Sequence, residues 1–249
     1  MSASTITGAP SPSRLGALLG AGCLLVVASG CAAKRGENPN LIVGKQQFVA
    51  KCGSCHALAR VNTKGTIGPN LDEAFRASLA EGLRRSAVRT VVEGQVENPN
   101  RFGVMPKGLA SGATLRSIAA YVAESVDRPG QDTGLLATAV QAPGAGKPAV
   151  EKGGKLEIAA DPSGQLSYVT KAASAKAGAV TVVMPNTSGV THNIAIQQGA
   201  SGPVLGASPI IAKGSTSITV KLKPGAYTFF CQVPGHRAAG MEGTLTVKP

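Results

Sequence analysis

Few residues of this chain are suited to redox or metal chemistry: it has three His, five Cys and four Met among 249 residues. Two of the Cys stand in the run Cys52-Gly53-Ser54-Cys55-His56. Two thiols one helical turn apart can add to the two vinyl groups of a haem, and a His directly after them can ligate the iron. The motif therefore predicts a covalently attached c-type haem on Cys52 and Cys55, with His56 as an iron ligand. A thioredoxin-like disulfide or half of a zinc site would not account for the adjoining His.

A second group of candidate ligands lies near the C terminus, where Cys231, His236 and Met241 follow one another at equal spacing. One loop can present their thiol, imidazole and thioether groups to a single ion. A Cys thiolate, imidazoles and a long thioether bond together select type 1 blue copper. A second imidazole is required, and His192 is the only His left after His56. The pattern predicts one mononuclear copper site with these four ligands.

The segments that would carry the two sites differ in their hydrophobic pattern and so in their predicted secondary structure. Residues 41–127 show the apolar periodicity of helices, with one helix opening near Ser111 and another ending near Gly94. Residues 153–249 contain short β-rich runs broken by Gly and Pro, which predict a sandwich or barrel. The runs are LEIAA, LSYV, AVTVVMPN, HNIAIQ, SITVKL, AYTFFC and GTLTV. Residues 129–152 between them are rich in Gly, Pro and Ala, and we expect a flexible linker there.

Most of residues 41–127 resemble a class I cytochrome c. Ile67-Gly68-Pro69-Asn70-Leu71 is similar to the loop beneath the proximal His of that family. The resemblance implies that the Pro69 carbonyl accepts a hydrogen bond from His56, which fixes the orientation of the ring. Gly103-Val104-Met105-Pro106 resembles the distal loop of the family, which implies that Met105 is the sixth iron ligand. Ligation by His and Met leaves no open iron position, so the resemblance implies electron transfer.

Residues 153–249 resemble the cupredoxins, with a Cys-to-His spacing closer to the rusticyanin and sulfocyanin type than to plastocyanin. The resemblance implies a Greek-key sandwich in which backbone amides hydrogen-bond the thiolate, and Asn193 and Gln232 are the residues expected to do so. A dinuclear copper site would need a second Cys at Gly235. A second copper site for nitrite or oxygen reduction would need His residues that the chain does not have.

The N terminus is typical of an export signal, since an uncharged stretch over residues 15–33 follows Arg14. Ala28-Ser29-Gly30-Cys31 resembles a bacterial lipoprotein processing site, which implies lipidation of Cys31. An uncleaved membrane-spanning helix is the open alternative. Both predict a protein held at the outer face of the cytoplasmic membrane, on its periplasmic or extracellular side.

The net charge of +12 is spread along the chain, and aromatic residues make up only 3% of it. These features argue against nucleic acid binding. They allow steering towards acidic surfaces of redox proteins or of membrane respiratory complexes.

These features together predict a multidomain protein. We expect a signal or lipoprotein anchor at 1–36, a small all-α cytochrome c domain at 37–128, the linker at 129–152 and an all-β cupredoxin domain at 153–249. The expected function is that of an electron carrier, not an enzyme, which relays single electrons through haem and copper in a respiratory chain. Two alternatives stay open: an accessory redox subunit of a terminal oxidase or reductase, and a haem peroxidase if Met105 is not an iron ligand.

Overall fold

Helices fill the first part of the described chain and strands fill the second. The structure is a computed structural model, and it describes residues 38–128 and 130–249. None of the helices in these two ranges is long and apolar enough to cross a membrane. The export segment and Cys31 lie outside the described residues, so their roles stay predictions.

The helical half consists of four helices and one small antiparallel strand pair within the described range 38–128. The pair follows the Cys-x-x-Cys-His turn directly, and a 3₁₀ turn, Ala59–Val61, connects its two strands. The elements are α1 (Leu41–Lys51), β1 (Ala57–Leu58), β2 (Thr63–Lys64), α2 (Leu71–Ala80), α3 (Arg85–Glu97) and α4 (Gly112–Ser125).

Helices α1 and α4 cross closely and form the centre of the helical core. At the crossing, a Cβ on Gly44 would collide with the backbone of Ser117. One turn further along, the rings of Phe48 and Tyr121 pack with their centroids 6.5 Å apart. The start predicted for α4 is confirmed, since Ser111 is its N-cap. Helix α3 continues through Gly94 instead of ending there, because an exposed helix interior tolerates Gly at a cost of only about 1 kcal/mol.

The β half is a sandwich of two sheets. The larger sheet has the strand order β3-β5-β11-β10-β7-β8, and the smaller has the order β4-β6-β9. Their facing side chains form one apolar core, which includes Met184, Ile196, Phe229 and Leu245. The strands are β3 (Ala149–Val150), β4 (Lys155–Glu157), β5 (Ala172–Lys176), β6 (Gly178–Asn186), β7 (Ala195–Gln198), β8 (Val204–Ala207), β9 (Gly214–Leu222), β10 (Gly225–Phe230) and β11 (Glu242–Lys248).

One predicted strand run, LSYV at residues 166–169, does not form a strand. It makes a single isolated bridge, between Tyr168 and Ala160. Tyr168 is fully buried, its hydroxyl donates to the Asn193 carbonyl at 2.7 Å, and its ring meets Phe229 edge-on at 5.4 Å. The apolar pattern of this run therefore reflects the burial of one aromatic ring and not a ladder of strand hydrogen bonds.

The segment between the halves is packed, although its composition predicted a flexible linker. A short helix, α5 (Leu135–Thr138), lies in it, and Leu136 and Val140 pack against the helical core. Strand β3 joins the larger sheet beside β5. A composition rich in Gly, Pro and Ala indicates irregular backbone, but it does not show which partners a few side chains will find.

Candidate metal centre

Three of the four predicted copper ligands meet beyond the strand ends of the β sandwich. The side chains of His192, Cys231 and His236 are buried, and their ligand atoms all lie within 4.8 Å of one another. The two His Nδ1 atoms are 3.1 Å apart, and Cys231 Sγ lies 3.6 Å from His236 Nδ1. Two imidazole nitrogens and a thiol sulfur gathered at one buried point are a donor set for type 1 copper. The residues present therefore fit the predicted metal.

The loop between β10 and β11 carries Cys231, His236 and Met241. Cys231 follows β10 and Met241 precedes β11, and the backbone N–H of Cys231 donates to the Met241 carbonyl at 3.1 Å. The N–H of Met241 donates in turn to the His236 carbonyl at 3.0 Å. The Met241 side chain is fully buried. These bonds hold Met241 beside two of the clustered residues, and its role as the fourth ligand stays a prediction.

His192 comes from a different connection, between β6 and β7. Two backbone hydrogen bonds of 2.9 Å pair it with Ile211. The side chain of Asn186, at the end of β6, donates to the carbonyls of Val190 and Ile211 at 2.8 and 2.9 Å and so closes the turn. The β sandwich thereby brings together ligands that are far apart in sequence.

Asn193 ties the His192 connection to the Cys231 loop. Its side-chain oxygen accepts a bond from the Gln232 N–H at 2.8 Å, and its amide group donates to Gln232 Oε1 at 3.0 Å. The backbone N–H groups of Asn193 and Val233 hydrogen-bond the Cys231 sulfur. The sequence analysis predicted that the backbone amides of Asn193 and Gln232 would hydrogen-bond the sulfur. Gln232 does not do so, because its N–H is taken by the Asn193 side chain, and the next amide along the chain acts instead.

The electrostatics of the cluster follow from burial. Desolvation raises the pKa of the Cys231 thiol, while the two amide hydrogen bonds act in the opposite direction. Desolvation, with a smaller contribution from His236, lowers the pKa of His192 to about 4, and burial also lowers the pKa of His236. Both imidazoles are therefore neutral near pH 7, which is the form that binds metal.

The predicted haem-attachment residues form a turn at the end of α1. The N–H groups of Cys55 and His56 both donate to the Cys52 carbonyl, at 3.0 and 2.9 Å. His56 Nδ1 lies 2.9 Å from the Pro69 carbonyl, the hydrogen bond that the cytochrome resemblance implies. A carbonyl can only accept, so Nδ1 carries the proton and Nε2 is left to ligate. A Cβ on Gly68 would collide with the imidazole, so this glycine is needed for the loop to lie flat against the ring.

The Cys52 thiol of this turn does not have the property expected of a redox-active Cys-x-x-Cys pair. Cys52 and Cys55 are free and not joined in a disulfide. Burial, aided by the neighbouring Cys55 and opposed by Lys51, raises the pKa of Cys52 to about 12. Reactive Cys-x-x-Cys pairs have a lowered thiol pKa, so the environment disfavours the thioredoxin-like alternative.

The loop between α3 and α4 carries Met105, which is half-buried. Its neighbours Phe102 and Val104 are 86% and 76% exposed, and Ile67, beside the His56 loop, is 62% exposed. Exposed large apolar side chains that form a contiguous patch often mark a binding site. Ligation by Met105 stays a prediction.

The C-terminal half matches a known family. Residues 155–248 fit the copper-binding proteins of the plastocyanin/azurin family. This part of the chain belongs to that family. The β half is accordingly a cupredoxin domain, and its cluster of His192, Cys231 and His236 supports a type 1 copper site with a role in electron transfer. The match does not extend to the helical half.

Solved structures similar to this chain include auracyanins and rusticyanin. Auracyanin from Roseiflexus castenholzii is 30% identical, with a TM-score of 0.35 over 40% of this chain and 100% of its own. Auracyanin A from Chloroflexus aurantiacus is 24% identical, with a TM-score of 0.33 over 41% and 100%. Rusticyanin from Thiobacillus ferrooxidans is 25% identical, with a TM-score of 0.34 over 42% and 84%. No curated protein sequence matches the chain.

Proposed function

We propose that this protein is an electron carrier with two centres, a c-type haem in the helical half and type 1 copper in the cupredoxin domain. The observation that carries the haem part is the orientation of His56. Its Nδ1 faces the Pro69 carbonyl and Gly68 lies flat against its ring, so Nε2 is left for a metal directly beside two free thiols.

In the helical half, Cys52 and Cys55 would hold the haem through thioether bonds, and His56 and Met105 would ligate the iron. The haem supplies one-electron iron chemistry when it is bound. The Pro69 carbonyl keeps His56 in one tautomer and one orientation. The exposed Phe102 and Val104 are apolar surface that a haem could cover.

In the cupredoxin domain, His192, Cys231, His236 and Met241 would hold the copper. The two amide bonds to the Cys231 sulfur favour the thiolate and so influence the potential of the site. Because the cluster is buried and cross-linked by Asn193, its donors need little movement between oxidation states.

The setting we propose is the outer face of the cytoplasmic membrane, to which Cys31 would attach the chain through lipid. There the protein would relay electrons in a respiratory chain, and its net charge of +12 suits acidic redox partners. The sequence features behind this part of the proposal are the export segment and the lipoprotein-like site.

The test is to produce the full chain in a host that attaches c-type haem during export, and to supply copper. We expect the spectrum of a six-coordinate c-type haem together with the intense visible band of type 1 copper. Cys231→Ser should abolish the copper band and leave the haem, and Met105→Ala should change the haem spectrum and potential and leave the copper. Met184→Leu is the matched control, because Met184 is a buried core residue of β6, and it should change neither signal.

The proposal is wrong if no haem becomes attached, or if Met105→Ala leaves the haem spectrum unchanged while Cys231→Ser still forms the copper band. Ready binding of carbon monoxide by the reduced wild-type haem would point to an open iron position and to the peroxidase alternative. Co-purification with an oxidase or reductase in detergent would favour the accessory-subunit alternative.

A further inference from the structure

The helical half and the cupredoxin domain belong to one compact unit and touch next to both candidate sites. Gly164, between β4 and β5, packs on α1, where a Cβ on it would lie 3.0 Å from the Ala50 carbonyl oxygen. Gly235 faces Thr66, and a Cβ on Gly235 would lie 3.4 Å from Thr66 Oγ1. Ala50 lies close in sequence to Cys52, so both contacts are near the haem-attachment turn.

The contact between Thr66 and Gly235 joins the loops that carry the predicted ligands. Thr66 lies in the segment 65–69, whose Gly65 packs on the backbone of Cys55 and whose Gly68 packs on His56. Gly235 immediately precedes His236 in the copper loop. The segment held against the attachment turn therefore lies directly beside the residue that precedes His236, because a single added Cβ at Gly235 would reach it.

Residues 130–150, here named the strap, are fixed to the helical half by a buried ion cluster. Asp132 forms ion pairs with Lys45 at 3.0 Å and Arg60 at 2.8 Å, and it accepts a hydrogen bond from the Tyr121 hydroxyl at 2.8 Å. Lys45 also donates to the Leu136 carbonyl at 2.6 Å. The side chains of Asp132 and Lys45 are only 5% and 7% exposed, so neither charge can separate from its partner without a large cost.

The other end of the strap is fixed to the cupredoxin domain. The N–H of Gly146 donates to the Val169 carbonyl at 2.8 Å, and β3 pairs with β5. Between the two ends, Gln46 of α1 donates to the Ala139 carbonyl at 3.1 Å, and Gln165 of the β half donates to the Gln141 carbonyl at 2.9 Å. A free linker of this length would let the halves separate, whereas a strap bonded to both leaves them one relative orientation.

On the basis of the proposed function, we propose that the strap holds segment 65–69 against the copper loop, so that the chain passes electrons between its two centres without domain movement. Each transfer moves one electron. The centre that gives the electron is oxidised by one unit and the centre that receives it is reduced by one unit. An external one-electron redox protein then reduces the first centre again, and a second one oxidises the other.

The first test is nuclear magnetic resonance of the fully reduced holoprotein, in which copper(I) and six-coordinate ferrous haem have no unpaired electrons. We expect one rotational correlation time for both halves, and a nuclear Overhauser effect between side-chain protons of Thr66 and the Gly235 α protons. Two different correlation times, or the absence of that cross-peak from an assigned spectrum, would overturn the proposal.

The second test uses the variant Gly235→Asn to push segment 65–69 away from the copper loop. Gly235 has a φ of +82°, a conformation that Asn adopts more readily than other L residues. The Cβ of the new side chain would touch Thr66, and its amide group would add bulk between the two loops. The matched control is Gly199→Asn, because Gly199 also has a positive φ, of +58°, and a Cβ there meets open space. After rapid reduction of one centre, the wild type and the control should show an internal phase whose rate does not depend on protein concentration.

Gly235→Asn should slow that phase several-fold while both absorption spectra are kept. Thr66→Trp presses on the same contact from the helical half, and it serves as the test if Gly235→Asn disturbs the copper spectrum. An unchanged internal rate in a variant that has lost the Thr66–Gly235 cross-peak would overturn the proposal. If haem or copper is missing from the wild type, the proposed function itself fails. If both spectra are present but electron transfer depends on concentration, the function stands and the strap inference is wrong.

Discussion

The two halves of this chain build their candidate sites in different ways. In the cupredoxin domain, His192 and the loop from Cys231 to Met241 are separate in sequence, and a complete sandwich buries them together. In the helical half, Cys52, Cys55 and His56 are local in sequence, and the surrounding fold leaves Phe102 and Val104 exposed.

For the proposed two-centre carrier, this difference predicts which half would depend on its cofactor for stability. The copper cluster is covered by protein atoms, so the fold does not need the ion to bury apolar surface. The helical half would have to bury several exposed apolar side chains on the haem, which would then act as part of its core. We therefore expect loss of the haem to destabilise its half much more than loss of copper destabilises the sandwich.

The largest expected effect comes from removing the haem attachment. Cys52→Ser with Cys55→Ser should abolish the cooperative unfolding transition of residues 38–128. Cys231→Ser should cost the sandwich only about 1 kcal/mol, the scale of a single hydrogen bond. Hydrogen exchange followed by mass spectrometry reports the two halves separately. If α1 and α4 stay protected from hydrogen exchange in the double variant, the helical half does not depend on the haem for its stability.

The strap is expected to give the next largest effect. Asp132→Asn leaves the buried Lys45 charge without its partner, and breaking such a pair costs about 3–5 kcal/mol. The control is Glu124→Gln, which removes an exposed pair with Arg128 and should cost less than about 1 kcal/mol. Urea unfolding of the holoprotein measures both losses. Equal losses in the two variants would mean that the strap is not anchored by Asp132.

The same carboxylate gives a pH dependence with a defined sign. Burial alone would raise the pKa of Asp132, but hydrogen bonds from Arg60, Lys45 and Tyr121 outweigh it and lower the pKa below 3.8. A carboxyl whose pKa is lowered by folding stabilises the protein above its unfolded pKa, and this contribution is lost as the pH falls through the folded pKa. The difference in unfolding free energy between wild type and Asp132→Asn should therefore be constant near neutral pH and shrink below pH 3.8. A difference that grows on acidification would contradict this reasoning.

A smaller effect is expected at the haem-attachment loop. Gly68→Ala places a Cβ against the His56 ring and should destabilise the helical half by about 1–3 kcal/mol, the usual cost of overpacking. Gly94→Ala is the control, because its Cβ meets open space inside α3, and it should stabilise that half by about 0.5–1 kcal/mol. Thermal unfolding of both variants measures the difference, and a stabilising Gly68→Ala would remove the argument for close packing at this ring.

The smallest effect is expected at the cross-link in the cupredoxin domain. Asn193→Ala removes the side-chain bonds to Gln232 and Ser208 and should cost about 1–2 kcal/mol, because the Gln232 N–H loses its acceptor. The copper band should remain with a shifted potential. Gln232→Ala, which loses only an exposed side-chain contact, is the control. If both variants leave stability and potential unchanged, the cross-link does not stiffen the site.

Some secondary-structure elements were predicted correctly from the sequence, for identifiable reasons. The helix beginning at Ser111 carries a regular apolar stripe, and the strand run ending at Asn186 alternates between buried and half-buried residues. The prediction of a strand at 166–169 was wrong, because the burial of Tyr168 produces an apolar pattern that resembles a strand. The choice of Gln232 as an amide donor to sulfur failed because a side chain elsewhere in the chain competes for that N–H.

Residue type and spacing along the chain were enough to predict that His192, Cys231 and His236 meet at one point, because metal binding needs particular donor atoms at short, defined separations. The haem attachment at Cys52 and Cys55 stays a prediction from the same kind of pattern. The tertiary structure alone decided which amides reach the Cys231 sulfur, what Asp132 pairs with and that Thr66 faces Gly235. These pairings join residues far apart in sequence, and no local pattern encodes them, since they depend on how whole helices and sheets pack against one another.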